Sequence, residues 1–429
     1  MIPNRNIYKE KGLRISMVTK NDVFEVVYKN QVPMKPIEVA RKLNKDSSEY
    51  KNIHRILEEL VKEKFLIKKD SEFETKKSEK TELLYNLIYY CTHNGIDYNH
   101  LLDKNLVNFI YEVLRKEEFQ KKDININPKT FKKYIDILDK YGLILISSRK
   151  PLTARIFHST LINNLLIYFG FSDIPKRDYA INYLDEIEKE LALYKKLRKK
   201  NEAGYQSAVN EFEVYFVQHS LSLEGNPITL PDTIKILKDK IIPRDLNSED
   251  VEEVENYQNA VVKMLRDAQL GKRLTIEEIL EYHKIAMSHK PEIAGEIREK
   301  PVHIKGNLNF KVAKFSEIKP KLKELLEKYD EFLKKKKTPI KEIIDFSSYF
   351  HNEFQYIHPF EDGNSRTTRL ITFHLLHSKG VPMLDIPFGL LDEYLSYTKG
   401  SKKREDNKLS ENLQKTVLFN LKKINEKLA

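Results

Sequence analysis

His358-Pro-Phe-Glu-Asp-Gly-Asn-Ser-Arg-Thr-Thr-Arg369, running on into Leu-Ile-Thr-Phe-His-Leu-Leu-His-Ser-Lys-Gly380, is the stretch on which the reading of the fold turns. Pro359 cannot extend the helix-spaced apolar run that ends near Ile357, since it has no N–H to donate and its ring clashes with the preceding turn. Glu361-Asp362-Gly363-Asn364 reads as a turn, and the apolar spacing from Ser365 onward reads as a helix. A Gly-containing turn that opens a helix presents unpaired N–H groups at the positive end of the helix dipole, which suits a phosphate. Gly363, Asn364 and Ser365 would form that nest. Arg366 and Arg369 stand three apart and share one helix face, and two guanidinium groups over such a nest suit a polyphosphate. Asp362 can hold Mg²⁺, which takes one or two carboxylates plus phosphate oxygens. His358 stands just before the nest, and a histidine can accept a proton from an attacking hydroxyl near neutral pH. Base, metal carboxylate, anion nest and phosphate arginines fall together within a dozen residues. That grouping is consistent with phosphoryl or nucleotidyl transfer.

Outward from this stretch, apolar residues recur at helical spacing, and 13 Gly and 16 Pro are few for 429 residues, so the chain reads as mainly α-helical. In residues 21–72, Asn21-Asp22 can cap a first helix and Pro36 can open a second. A third helix carries Ile53, Ile56, Leu57 and Leu60 on one face, and FLIKK follows as a strand. Three helices and a strand is the order of a winged helix-turn-helix. A similar order recurs over 80–170, where Asn127-Pro128 opens a helix and LILISS follows. Such units present a helix to DNA, here with Lys51, His54 and Arg55, and they equally serve protein contacts. A polar helix over roughly 178–203 joins the halves, and the run Lys334–Lys337 reads as a solvated helix end. Around 302–313, alternation about Gly306-Asn307 predicts a hairpin.

The 358–369 stretch resembles the signature of the Fic family, His-Pro-Phe-x-Asp/Glu-Gly-Asn-Gly/Lys-Arg-x-x-Arg, with Ser365 where Gly or Lys is usual. The resemblance covers roughly residues 205–400. It implies a Fic-like helical bundle with a β-hairpin flap, and transfer of AMP from ATP to a protein hydroxyl with Mg²⁺. In that scheme His358 is the base, Asp362 the metal ligand, and Gly363, Asn364, Ser365, Arg366 and Arg369 bind ATP. Ser220-Leu-Ser-Leu-Glu224-Gly225-Asn226 resembles the family's inhibitory motif, which implies that Glu224 pairs with Arg369 in place of the ATP γ-phosphate. Taken alone, Gly225 is equally an ordinary helix end. Val302, His303, Ile304 and Lys305 would form the flap that docks the target, behind Gly295-Glu-Ile-Arg298. Tyr394 and Tyr397 fall where similar proteins contact adenine.

The implied organisation is a winged-helix-like domain at 1–75, a second at 80–170, a linker helix at 171–204, the Fic domain at 205–400 and a C-terminal helix at 401–429. Residues 1–200 hold 39 Lys+Arg against 28 Asp+Glu, and residues 201–429 hold 36 of each. The whole formal charge of +11 therefore lies in the first part, which suggests an acidic partner such as DNA for residues 1–170, or simply a Lys-rich surface. A single Cys91 excludes an internal disulfide and any Cys-rich zinc site, and favours a reducing compartment. No apolar run approaches the roughly 20 residues of a membrane span, and the first residues show no secretion signal, so a cytoplasmic location is expected. The expected partners are ATP, a target protein or the chain itself, and a second copy of the chain. Two readings stay open beside this: a DNA-binding regulator whose Fic-like half senses or dimerises, and a Fic enzyme that uses UTP, GTP or CDP-choline as its donor, or that phosphorylates.

Overall fold

The computed structural model describes residues 18–175, 183–304, 307, 310–382, 385–398 and 404–429. The protein is mainly helical with two small sheets, and it divides into two compact units. The first comprises the described residues up to Thr92 together with Asp97–Asn108 and Asn164–Ser172. It begins with α1 (Lys20–Asn30), α2 (Pro36–Lys42) and α3 (Tyr50–Lys62), followed by the antiparallel pair β1 (Leu66–Lys69) and β2 (Glu72–Thr75). Thr19 rather than Asn21-Asp22 caps α1, in a reciprocal box with Asp22, so the helix starts earlier than the sequence suggested. Pro36 opens α2 as expected. Ile53, Ile56, Leu57 and Leu60 of α3 are all buried, in one core with Phe24, Phe65 and Phe73. An isolated bridge between Met34 and Phe73 fastens the hairpin to the segment before α2.

After α4 (Glu79–His93), α5 (Tyr98–Leu101) and α6 (Lys104–Leu114), the second unit carries β3 (Phe119–Gln120), α7 (Pro128–Lys140), β4 (Ile144–Arg149) and β5 (Leu152–Ile156). Its strands form one antiparallel sheet in the order β3-β5-β4. Asn127 caps α7 and Pro128 occupies its first turn. Next come α8 (Thr160–Tyr168) and α9 (Leu184–Lys200); the start of the joining helix expected from residue 178 lies outside the described residues. The remaining helices are α10 (Glu202–Ser222), α11 (Leu230–Ile234), α12 (Ser248–Gln269), α13 (Ile276–Ala286), α14 (Ile318–Lys334), α15 (Ile340–Ile357), α16 (Asn364–Ser378), α17 (Phe388–Tyr397) and α18 (Asp406–Leu428).

Helix α16 is the axis of this bundle, in contact with α10, α12, α13 and α15, and every residue from Asn364 to Leu376 is buried. A helix buried on all sides must satisfy its polar side chains internally. Thr367, Thr368 and Thr372 do so by donating their hydroxyls back to the carbonyls of Gly363, Asn364 and Thr368. The hairpin expected at 302–313 is not formed by its described flanks: Val302–Ile304 and Phe310–Ala313 are irregular. Lys305, Gly306, Leu308 and Asn309 lie outside the described residues. The physical reason is that the backbone groups of Ala313 are used elsewhere: its N–H donates to Tyr356 O at 2.9 Å, and its carbonyl accepts from Arg298 at 2.6 Å. No helix among the described residues is long and apolar enough to cross a membrane.

Candidate active site

Helix α15 ends on His358, whose φ of 49° lies in the left-handed region while its N–H still bonds Phe354 O at 2.9 Å. Glycine usually takes that position, and a side chain there costs about 1–2 kcal/mol. The His358 ring sets Nδ1 at 3.2 Å from Gln355 O. A carbonyl only accepts, so this contact puts the proton on Nδ1 and the lone pair on Nε2. The backbone of His358 is held by the buried Arg298, which donates from Nε to His358 O at 2.7 Å, from one Nη to Lys300 O at 2.9 Å and from the other to Ala313 O. The Arg298 N–H also donates to Pro359 O at 2.9 Å. Gly295-Glu-Ile-Arg298 therefore serves first as a clamp on the His358 turn.

The loop that follows is closed by its own side chains. Asn364 accepts from Phe360 N–H at 3.0 Å and donates to Phe360 O at 2.8 Å, so its amide holds the turn. His283 stacks face to face on Phe360 at 3.6 Å, accepts from Gly295 N–H at 2.9 Å on Nδ1, and so donates from Nε2 to Asp362 O at 3.0 Å. Gly363 precedes α16 with φ 75°, and no side chain caps the helix. The first intrahelical bond runs from Thr367 N–H to Gly363 O, which leaves the N–H groups of residues 364–366 at the open helix end. A Cβ on Gly363 would lie 2.8 Å from Met287 Sδ and 3.0 Å from His283 Nε2. Gly363→Ala is therefore expected to destabilise the protein by about 2–4 kcal/mol, from left-handed strain plus overpacking, and a thermal melt would register it.

Asp362 is half-exposed and accepts from its neighbour Gly363 N–H, from Arg366 Nη at 3.0 Å and from Lys290 Nζ at 2.9 Å. Partial burial works against its charge, yet Arg366 and Lys290 hold the carboxyl well below the usual carboxylate range. An ionised, accessible carboxylate beside an anion nest fits a Mg²⁺ ion completed by phosphate oxygens, provided Lys290 gives way. Arg366 is buried and also pairs with Glu253 of α12, while its Nε finds no acceptor among the described residues. A buried guanidinium donor of this kind leaves a place for a further acceptor, a water or an anion.

Arg369, 1 % exposed, donates from Nε to Ser220 Oγ at 2.6 Å and from Nη to Ser220 O at 2.9 Å and Glu224 Oε1 at 3.0 Å. Burial works against its charge, but Glu224 keeps it above the ordinary arginine value. Gly225, with φ 96°, turns the chain after α10, and Asn226 then reaches α12, donating to Glu253 Oε2 at 2.7 Å and Asp250 O at 3.2 Å. Ser365, 8 % exposed, is enclosed at the start of α16. Tyr394 is buried beside the Arg369 guanidinium and bonds His351 Nε2 at 2.7 Å, with burial pushing its phenol up to about 12. Tyr397 is half-buried near Lys408. His303 is exposed and Ile304 buried; Lys305 lies outside the described residues.

Sequence reasoning did not find Glu253, His283, Lys290 or the clamp made by Arg298. Their partners are remote in the chain, 113 positions away for Glu253 and 79 for His283. Nothing local marks them, apart from Arg298, which ends the Gly-x-x-Arg run. Two further histidines, buried and neutral, carry a consequence for stability. Burial pushes His351 down to about 3 and His374 down to about 4. Unfolding restores the ordinary value of about 6.5, so the unfolded chain binds more protons below it. Their contribution is complete above pH ~6.5 and is lost as pH falls toward about 4. A melting temperature lower by several degrees at pH 5 than at pH 7 is the expected outcome.

Residues 273–376 match the Fic/DOC family. A protein named protein adenylyltransferase Fic from Culex quinquefasciatus is 24% identical over 279 residues, which cover 61% of this chain and 53% of that one. One of the same name from Drosophila persimilis is 28% identical over 44% of this chain and 36% of its own length. The chain thus spans about half or less of these curated relatives. A Fic-domain-containing signaling protein from Bacteroides thetaiotaomicron shares the fold, with a TM-score of 0.51 and 22% identity over 57% of this chain and 96% of that one.

Proposed function

From its standing as a Fic/DOC-family protein distantly related to proteins named protein adenylyltransferase Fic, we propose that this chain transfers AMP from ATP to a Ser, Thr or Tyr hydroxyl of a target protein or of itself, under restraint by Glu224. The observation that carries this reading is the Arg369–Glu224 pair at 3.0 Å, in which a carboxylate occupies a buried guanidinium one helical turn from an open helix N-terminus. In the proposed reaction the target hydroxyl gives its proton to His358 Nε2 as its oxygen attacks the ATP α-phosphorus. The bond from that phosphorus to the bridging oxygen of the β-phosphate breaks, and diphosphate leaves. The open N–H groups at residues 364–366 take up charge on the transferring phosphate. Arg366 and Arg369 hold the β- and γ-phosphates once Glu224 has moved. Asp362 would hold Mg²⁺, which would supply neutralisation of phosphate charge there.

Intact-mass measurement of Glu224→Gly after incubation with each nucleoside triphosphate and Mg²⁺ tests this reading. One AMP added from ATP alone is the expected result. Addition from another nucleotide would reassign the donor, and no addition to the chain or to any protein of a cell extract would overturn the reading.

A second reading, nucleic-acid binding by the N-terminal elements, is favoured by one observation in the second unit. Helix α7 precedes the β4–β5 hairpin and exposes Lys129, Lys132 and Lys133, which have no carboxylate partner among the described residues. In α3, by contrast, Arg55 pairs with Glu59, and Glu58 engages both His54 and Lys68. If these elements act as winged helices, α7 and not α3 is the DNA-facing one. A gel-shift of the full chain that is salt-sensitive and abolished in K129E/K132E/K133E would support this; equal shifts would exclude it.

A further inference from the structure

Far from His358, the second unit holds a pocket of about 500 Å³ whose charged lining is entirely cationic. Lys195 comes from α9, Lys335, Lys336 and Lys337 from the turn between α14 and α15, and Lys379 from the end of α16. Thr338 and Pro339 complete the turn. Lys379 is committed to structure: its ammonium reaches Phe332 O at 3.1 Å, Lys335 O at 3.2 Å and Thr338 Oγ1 at 3.4 Å, so it neutralises the carbonyl end of α14 and fixes the turn. Lys335 pairs with Glu342. The exposed Lys195, Lys336 and Lys337 have no carboxylate within ion-pair distance among the described residues. The pocket also meets the start of α15, an 18-residue helix without a side-chain cap, so its dipole adds positive potential.

Surface lysines ordinarily spread apart or pair with carboxylates; here five line one shallow, open depression. We propose that this pocket is a second anion site, which takes a compact polyphosphate of two or more linked phosphate groups. Three uncommitted ammonium groups and a helix N-terminus exceed what one orthophosphate can neutralise, while a di- or triphosphate matches them in charge and span. The site touches the ends of α15 and α16 opposite to those that carry His358 and the Gly363 turn; α15 alone separates the two by about 27 Å. Free inorganic polyphosphate and the phosphate tail of a nucleotide offer the same chemistry. The proposal does not depend on the adenylyl-transfer reading.

The test is acetylation footprinting of the full-length protein by mass spectrometry at about 150 mM salt, with inorganic tripolyphosphate, diphosphate, orthophosphate, ATP and AMP as separate probes. Tripolyphosphate should protect Lys195, Lys336 and Lys337, and orthophosphate and AMP should not. Protection by ATP as well would make a nucleotide tail an eligible source, and protection by tripolyphosphate and diphosphate alone would assign the site to inorganic polyphosphate. Calorimetry with tripolyphosphate on K336E/K337E, both exposed positions, should show affinity reduced by at least about tenfold. Protection confined to Lys290, equal protection by orthophosphate, or unchanged affinity in K336E/K337E would overturn the proposal.

Discussion

Glu224→Gly is expected to raise transfer of label from α-³²P ATP by about ten- to a hundredfold, a shift of about 1.4–2.8 kcal/mol in favour of the open pocket. The carboxylate lies on Arg369 Nη, the donor that a terminal phosphate would use, so in the proposed reaction ATP would bind productively only at the expense of that pair. Ser220 does not compete in this way: its hydroxyl accepts from Arg369 and donates to Tyr257 at 2.8 Å, which steadies the guanidinium without neutralising it. Removal of Glu224 leaves a buried cation with neutral partners only, a costly state. The same variant should accordingly melt several degrees lower without nucleotide and gain more from Mg-ATP than the wild type does. Equal labelling of the two proteins would remove the autoinhibitory role. Arg366 remains tied to Glu253 in this variant, because that carboxylate belongs to α12 and is held by Asn226. Glu224→Gly therefore frees one of the two arginines, and on the other the Arg366 Nε is the donor left for a phosphate oxygen.

The parts of the site that were legible in the sequence are those contiguous in the chain. The turn at Glu361–Asn364, the helix after it and the two arginines on one face follow from local rules of turn and helix formation. Glu224 was legible only through resemblance, since a Gly225 at a helix end carries no information by itself. What was illegible is whatever depends on distant partners: the Glu253–Arg366 pair, the His283–Phe360 stack, and the hold of Arg298 on three carbonyls. Helix α16 shows a subtler gap. Apolar spacing marks it as a helix but not as one buried all round, which the threonines allow by returning their hydroxyls to the backbone. In the N-terminal elements the four apolar positions of α3 were legible by period, whereas β2 was not, because only Phe73 of its four residues is buried. The two-residue β3 is too short to carry any alternation. The described flanks of the expected hairpin at 302–313 are not strands, because alternation records only which side chains are apolar, and the backbone groups of Ala313 are engaged by Tyr356 and Arg298.

In the Glu224→Gly background, His358→Ala is expected to lower transfer by about 10²- to 10⁴-fold, the range for loss of a positioned general base. The substitution removes two things at once, because His358 is both an imidazole and a left-handed helix end. His358→Asn separates them. Asparagine tolerates the left-handed conformation, so the turn, its bond to Phe354 O and the Arg298 clamp on residue 358 should persist, while no basic nitrogen remains. If the imidazole is the base, both variants are equally inactive and ATP binding, read by calorimetry, stays within about twofold of the parent in the Asn form. If the position matters only as a turn, Asn should restore most of the transfer that Ala loses. An Asn variant with more than about a tenth of the parent rate would move proton acceptance away from residue 358. The Arg298 clamp would persist in either case, since its Nε fixes the backbone carbonyl of residue 358 whatever side chain stands there.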